Sequence, residues 1–170
     1  MTTLVNDKIY NFNLGDLAHM GLTHDEMCAH YNKNSSPAGF MMEKIIVQKF
    51  SNLDEFKGRE TITEGDVKTT INPDMKNNVD GHLYDQKTVN DKGVNFKRSK
   101  FKGAGRKLSE DCIQEHDLWV NSQSFIFVDI RKLPEIRIVS RAGTELIKKF
   151  PKHNINKNNI ENIFECWQKN

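Results

Sequence analysis

The chain has 170 residues, with 25 basic and 23 acidic side chains and a net charge of +2 at pH 7. This length predicts one domain with a substantial core, and the small net charge means that any affinity for nucleic acid must come from locally clustered basic residues. No apolar run approaches the ~18 residues of a membrane span, and the opening residues MTTLVNDKIY do not predict a signal peptide. The three cysteines are far apart and lack metal-ligand spacing, so we expect reduced thiols in a cytoplasmic protein.

The first part of the chain, residues 1–38, predicts a helical segment packed on the core formed by residues 39–170. After a short-strand or irregular lead-in over residues 1–13, Gly21 ends one short helix. The capping box that begins at Thr23 opens a second helix. The pair is similar to the first helices of a helix-turn-helix module, although most such pairs only pack against a core. Residues 32–37 are expected to form a loop.

A longer apolar helix is predicted over Gly39–Phe50. On a helical wheel its apolar residues form one arc, and Glu43 falls inside that arc. A carboxylate there would be largely buried, which is costly unless an ion or a hydrogen-bonding group meets it. Glu43 is therefore either an edge residue paired with a lysine or part of a functional site.

The middle of the chain predicts β-structure. Residues 51–58 read as a polar connection, and residues 60–72 as a strand or hairpin that ends at Pro73-Asp74. A second hairpin is expected from a strand over residues 79–89, a turn over residues 90–93 and a strand over residues 94–97. In that last strand Val94 and Phe96 would share one face, and Asn95 and Lys97 the other.

A basic run follows this hairpin. Six basic residues and no acidic ones lie between positions 97 and 107, together with two glycines. Such runs are usually solvated surface, but flexible glycines allow a backbone to approach phosphate groups closely. The residues of this run that would contact phosphate groups are Arg98, Lys100, Lys102, Arg106 and Lys107.

The last third of the chain completes a predicted α/β domain. A helix is expected over residues 108–120 with Ser109 as its N-cap, followed by strands over residues 124–130 and 136–140. Residues 142–150 and 160–168 predict two further helices. The expected architecture is a single domain with a central mixed β-sheet flanked by helices.

Three residues across the second predicted hairpin carry a resemblance to a known family. Asp80, Asn95 and Lys97 resemble the motif of the PD-(D/E)xK nuclease superfamily, in which an Asp on one strand is followed by acidic-x-Lys on the next. Asn95 departs from the usual acidic residue and would ligate a metal without adding charge. The resemblance implies a restriction-endonuclease-like core, and it implies that Glu43 projects from the preceding helix towards the metal.

A second register matches the motif letters more literally, with Pro73-Asp74 followed by Asp85-Gln86-Lys87. The residue between the acid and the lysine should point into the core, where Phe96 fits better than Gln86. This face argument favours Asp80, Asn95 and Lys97, and the other register stays open.

The function implied by the resemblance is metal-dependent hydrolysis of DNA. Mg²⁺, with Mn²⁺ as an alternative, would be held by Asp80, Asn95 and Glu43, with Lys97 beside it. The enzyme would be an endonuclease of restriction type, or a recombination nuclease of a phage or mobile element. A homodimer is expected by analogy with restriction-type enzymes that cut both strands. The alternative function is a non-catalytic DNA-binding protein with a decayed nuclease site.

Overall fold

The computed structural model describes residues 2–13, 35–91, 93–94, 96, 110–151 and 155–167. Within these residues the chain is an α/β structure with one mixed six-stranded sheet, a separate two-stranded hairpin and helices on both sides of the sheet. The strands are β1 (Ile9–Asn13), β2 (Leu53–Glu55), β3 (Glu60–Glu64), β4 (Val67–Ile71), β5 (Met75–Asn77), β6 (Leu83–Val89), β7 (Ser124–Lys132) and β8 (Glu135–Ala142). The helices are α1 (Ser35–Lys49), α2 (Glu110–Asn121), α3 (Gly143–Lys149) and a 3-10 helix, η1 (Ile160–Phe164).

The sheet has the strand order β1-β8-β7-β6-β5-β2. Only β6 and β7 run parallel, and every other neighbouring pair is antiparallel. A parallel pair needs a crossover connection, and the segment that contains α2 provides it. Strands β3 and β4 pair only with each other and form the hairpin between β2 and β5.

Hydrophobic side chains cover both faces of the sheet. Along β7 the alternate residues Ile126 and Val128 join the cluster that contains Met42 and Ile46 of α1. Phe125 and Phe127 point the other way and join the cluster packed by α2, α3 and η1. We call these sides the α1 face and the α2 face. Strand β7 is buried from Ser124 to Ile130, which confirms the predicted central strand.

Several predicted elements are confirmed with shifted ends. The hairpin over residues 60–72, the strands β7 and β8 and the helix α3 are present. Helix α1 begins at Ser35, so part of the loop expected over residues 32–37 is helical, and Pro37 lies in the first turn, where its missing N–H is tolerated. The terminal helix expected over residues 160–168 is a short 3-10 helix that ends at Phe164.

The second predicted hairpin is wrong in its pairing. The expected turn is present, since Asn90 and Gly93 exchange backbone hydrogen bonds of 3.0 and 2.9 Å. Val94 and Phe96, however, belong to no strand, and β6 begins at Leu83 and pairs with β5 and β7 instead. Local alternation predicted a strand here, but it could not show that β7, more than thirty residues away, takes the place beside β6.

Other predictions fall outside the described residues. These are the helix pair within residues 14–34, the predicted N-cap Ser109 and the basic run over residues 97–107. The polar connection over residues 51–58 contains a strand that was not predicted, β2. In the part of the chain that is described, no helix is long and apolar enough to cross a membrane.

Candidate functional site

Two aspartates meet where β5 and β6 lie side by side. Asp74 directly precedes β5, and Asp85 is the third residue of β6. The Oδ2 atom of Asp74 accepts the backbone N–H of Gln86 at 2.8 Å, and the backbone N–H of Asp74 donates to the carbonyl oxygen of Tyr84 at 2.9 Å. Backbone hydrogen bonds on both sides of Asp85 therefore hold Asp74 next to it.

Lys87 lies on the same face of β6 as Asp85, because the two residues are two positions apart in a strand. Its Nζ atom is 3.1 Å from Asp85 Oδ2, and the two side chains are only 16% and 13% exposed. The ammonium group also lies 5.3 Å from the centroid of the Trp119 ring on α2. The lysine is thus held between a carboxylate and an aromatic face.

Glu43 reaches this pair of aspartates from helix α1. Its helical neighbours Met42 and Ile46 are fully buried in the α1 face, while Glu43 is half-buried. The Glu43 side chain hydrogen-bonds to Asp74, and Asp74 in turn hydrogen-bonds to Asp85. The carboxyl groups of Glu43, Asp74 and Asp85 therefore form a continuous chain, which we call the carboxyl cluster.

The electrostatics of the carboxyl cluster favour bound protons. Burial raises the pKa of Glu43 and of Asp74. Burial also raises the pKa of Asp85 to about 7, against the attraction of Lys87 and with further help from Asp74. A hydrogen bond between two carboxyl groups needs a shared proton, so a cation that entered the cluster would replace protons.

Another buried aspartate shows the opposite behaviour. Burial acts to raise the pKa of Asp129, but hydrogen bonds from Arg131 and Arg137 outweigh it and the pKa is lowered. These donors lie 2.8–3.1 Å from the Asp129 carboxylate, and Glu161 completes the network. Two arginines pair with the single carboxylate of Asp129. In the carboxyl cluster, by contrast, Lys87 pairs with Asp85.

Glu43 and Asp74 of the carboxyl cluster line a cleft of about 500 Å³ between α1, β2 and the base of the β3–β4 hairpin. Acidic and basic side chains share its walls, with Phe56, Gly58, Asn72 and Pro73 between them. The acidic residues are Glu43, Glu55 and Asp74, and the basic residues are Lys44, Lys57 and Arg59. Both a cation and an anionic ligand would find opposite charge here.

The chemistry of the donors suits a hard divalent cation, because carboxylate oxygens are ligands that Mg²⁺ prefers. Within the described ranges, no group of three or more His, Cys, Asp or Glu side chains is already spaced to hold a metal ion. The pKa values of Glu43, Asp74 and Asp85 are all raised, so a cation would compete with protons for their oxygens. Carboxylate ligands of this kind are what the resemblance expects around Mg²⁺, and binding of Mg²⁺ here stays a prediction.

The favoured sequence assignment is only partly described. Asp80 lies on an exposed turn between β5 and β6, where its Oδ1 atom accepts the backbone N–H of His82 at 2.9 Å. Asn95 and Lys97 lie outside the described residues, and so do the expected DNA contacts over residues 98–107. A role for Asp80, Asn95 and Lys97 in one site stays a prediction.

The face argument for Asp80, Asn95 and Lys97 expected a core position for Phe96 and none for Gln86. The structure agrees for Phe96 and differs for Gln86. Phe96 is buried, with its ring 4.9 Å from the ring of Phe125. Gln86 is half-buried on the α1 face. The face argument had expected an apolar side chain at this position. The backbone N–H of Gln86 is the donor that fixes Asp74. The residue between acid and lysine therefore need not be apolar in this sheet.

Lys57 and Arg59 were not predicted as functional residues. The signal available in the sequence was Phe-Lys-Gly-Arg at positions 56–59, an aromatic residue followed by two basic residues around a glycine. This signal points to a binding surface only once the cleft is known, and the cleft forms where α1 packs against β2.

Comparison with protein-family models finds none that matches the chain. Comparisons with curated proteins and with solved structures find no match either. The functional interpretation therefore depends on the geometry of the site.

Proposed function

We propose that the chain is a metal-dependent DNA nuclease with Glu43, Asp74, Asp85 and Lys87 as its site. The observation that carries this proposal is the 2.8 Å hydrogen bond between Asp74 Oδ2 and the Gln86 N–H. It joins the two halves of the motif, Pro73-Asp74 and Asp85-Gln86-Lys87, on neighbouring strands. In the register that matches the motif letters more literally, Asp74, Asp85 and Lys87 thus lie next to one another, which supports this register.

The order of elements supports the same proposal. Helix α1 carries Glu43, strand β2 follows, Asp74 precedes β5, and Lys87 lies on β6. Helix, strand, aspartate strand and lysine strand is the order expected for a restriction-endonuclease-like core. The β3–β4 hairpin is an insertion into that order between β2 and β5.

The chemistry proposed for the site assigns a separate role to each group. Glu43, Asp74 and Asp85 would hold Mg²⁺, which when bound supplies a water of lowered pKa and offsets charge on the scissile phosphate. Lys87 would orient the attacking water by hydrogen bonding and stabilise the negative charge that the water develops, because its ammonium group lies beside Asp85. Trp119 holds Lys87 in that position from the α2 side.

The proposed site also removes the reason for expecting a decayed nuclease. That expectation came from Asn95, which would bring a neutral amide to the acidic position of the motif. Asp85 brings a carboxylate to the same motif position in the register proposed here. A charged ligand strengthens binding of a hard cation.

The decisive experiment is cleavage of plasmid and linear DNA in Mg²⁺, compared with EDTA, by matched variants. We expect Asp74→Asn to abolish cleavage and Asp80→Asn to retain it, since the two changes remove the same charge on either side of β5. Mn²⁺ is expected to substitute for Mg²⁺. Retained cleavage in Asp74→Asn with loss in Asp80→Asn would move the site to Asp80, Asn95 and Lys97. DNA binding without cleavage under any of these metals would instead favour the non-catalytic alternative.

A further inference from the structure

The loop over residues 56–59 is attached directly to the proposed catalytic aspartate. The backbone N–H of Phe56 donates to the carbonyl oxygen of Asp74 at 3.1 Å. At the other end of the loop, Arg59 Nε donates to Asn72 Oδ1 at 3.2 Å. Both ends of the loop are therefore hydrogen-bonded to residues that flank Pro73.

The Phe56 ring and Gly58 are in close contact within this loop. A Cβ atom at position 58 would lie 2.7 Å from Cζ of the Phe56 ring, closer than such atoms approach. The ring therefore packs directly over the glycine. This packing keeps the segment compact, with Lys57 and Arg59 on the wall of the cleft.

Lys57 and Arg59 are exposed at the cleft, and neither forms an ion pair with a carboxylate of a described residue. Lys44 of α1 lines the same cleft. The carboxylates of Glu43, Glu55 and Asp74 would repel an approaching phosphate. Cations on the same wall offset that repulsion and give the phosphate a place to bind.

We propose that Lys57 and Arg59 bind the sugar–phosphate backbone of the substrate next to the scissile bond. This inference rests on the proposed function and gives its site a substrate-positioning element. Such interactions fix the register of a nucleic acid without reading its sequence. Lys57 and Arg59 would therefore contribute to affinity for any DNA sequence, and Lys87 would act in the cleavage step alone.

The test measures binding separately from cleavage. Binding of a short fluorescent DNA duplex is followed by anisotropy over a range of NaCl concentrations, in EDTA so that the full-length protein does not cut. The test protein is the double variant Lys57→Gln/Arg59→Gln. The control is Lys148→Gln/Lys157→Gln, which removes the same two charges from exposed positions outside the cleft. A third protein, Lys57→Arg/Arg59→Lys, keeps the charges and tests whether the loop still folds.

We expect the test variant to weaken binding of two unrelated sequences equally. The slope of log Kd against log salt should fall by about 0.9 for each phosphate that the variant no longer neutralises, or about 1.8 in total. The control and the charge-keeping variant should retain the wild-type slope. A test variant with the slope of the control would overturn the inference, whatever the cleavage assay shows.

The cleavage assay keeps the two proposals distinguishable. The wild-type protein could cleave DNA in Mg²⁺ while the test variant binds DNA as tightly as the wild type. That result would overturn only the phosphate-binding role. Binding that depends on Lys57 and Arg59, with no cleavage in Mg²⁺ or Mn²⁺, would overturn the nuclease and keep the phosphate-binding role.

Discussion

At the scale of single residues, Asp85 and Lys87 define what the site can do. Their side chains form a close ion pair at a position that is largely closed to solvent. The pKa of Asp85 is nevertheless raised to about 7, because burial outweighs the attraction of the lysine. A carboxyl group in this state exchanges its proton near neutral pH, as the proposed role in metal binding requires.

The raised pKa predicts how stability depends on pH. The folded protein keeps a proton on Asp85 up to about pH 7, whereas the unfolded chain releases it near 3.8. This contribution to the free energy of unfolding is fully present below the unfolded pKa and is lost as the pH rises through about 7. Urea denaturation in EDTA should show stability falling between about pH 4.5 and 8. Asp85→Asn should flatten that fall, and an unchanged profile would contradict the raised pKa.

The lowered pKa values of Asp129 and Glu161 do not interfere with this measurement. Burial acts to raise both, but hydrogen bonds from Arg131 and Arg137 lower them. Their stabilising contribution is present above the unfolded pKa and is lost only as the pH falls further into acid. The two effects therefore have opposite signs and occupy different pH ranges.

A second prediction concerns Lys87. Lys87→Met keeps the aliphatic stem and its packing but removes the amine, so DNA binding should persist. The cleavage step should slow by about 10²- to 10⁴-fold, as losses of general acid–base groups commonly do. Single-turnover cleavage of pre-bound DNA separates the two effects. Lys97→Met is the matched control, and a normal rate in Lys87→Met with a loss in Lys97→Met would return the motif to residues 94–97.

At the scale of elements, helix α2 connects the site to the core. Trp119 contacts Lys87 on one side and the aromatic rings of Phe96 and Phe125 on the other. Any shift of α2 over the sheet therefore moves the ring against which the lysine rests. The helix that closes the crossover between β6 and β7 is thereby also a support for the proposed chemistry.

We predict that Trp119→Leu lowers both stability and the cleavage rate, because it leaves a cavity and removes the cation–π interaction with Lys87. Trp119→Phe should restore much of the rate by returning an aromatic face. The distinguishing measurement is the pH profile of single-turnover cleavage, which should shift in the leucine variant if Trp119 positions Lys87. A purely structural role would reduce stability and leave the profile in place.

The sequence predicts where helices and strands occur better than it predicts which strands pair. Strands β7 and β8 and the β3–β4 hairpin follow from apolar runs and turn residues that act locally. Strand β2 was missed because three residues, Leu-Asp-Glu, carry no periodic signal. At the candidate site the helical wheel singled out Glu43, but the sequence pattern could not show that β7 lies beside β6. That pairing is a long-range property, and alternation along 94–97 contains no information about it.

At the scale of the whole molecule, Arg141 joins segments from opposite ends of the described chain. Its side chain is fully buried, yet it donates to Asp7 Oδ1 at 3.0 Å and to the carbonyl oxygens of Ile163 and Glu165 at 2.6–3.0 Å. The guanidinium group also lies 3.9 Å from the centroid of the Trp167 ring. One side chain thus holds the turn before β1 against η1 and the residues that follow it.

We predict that Arg141→Met destabilises the protein by about 3–5 kcal/mol, because it breaks the ion pair with Asp7 and removes the buried donor to the Ile163 and Glu165 carbonyl oxygens. Lys148→Met is the control, since its ion pair with Glu145 is largely exposed and should contribute less than about 1 kcal/mol. Chemical denaturation measures both. Limited proteolysis of Arg141→Met should cut first near residues 5–8 or 163–167, and equal stability of the two variants would contradict the role assigned to Arg141.

The position of β1 has a consequence for how the chain folds. Ile9 pairs with Val139 and Asn13 with Glu135. Strand β1 therefore cannot pair until β8 is available. During synthesis β1 is made early and has no partner until β8 has emerged, while β5 and β6 can already pair. Unpaired strands expose hydrogen-bonding edges that associate with other chains. Nascent chains arrested before β8 should therefore depend on chaperones, and should aggregate when released without them.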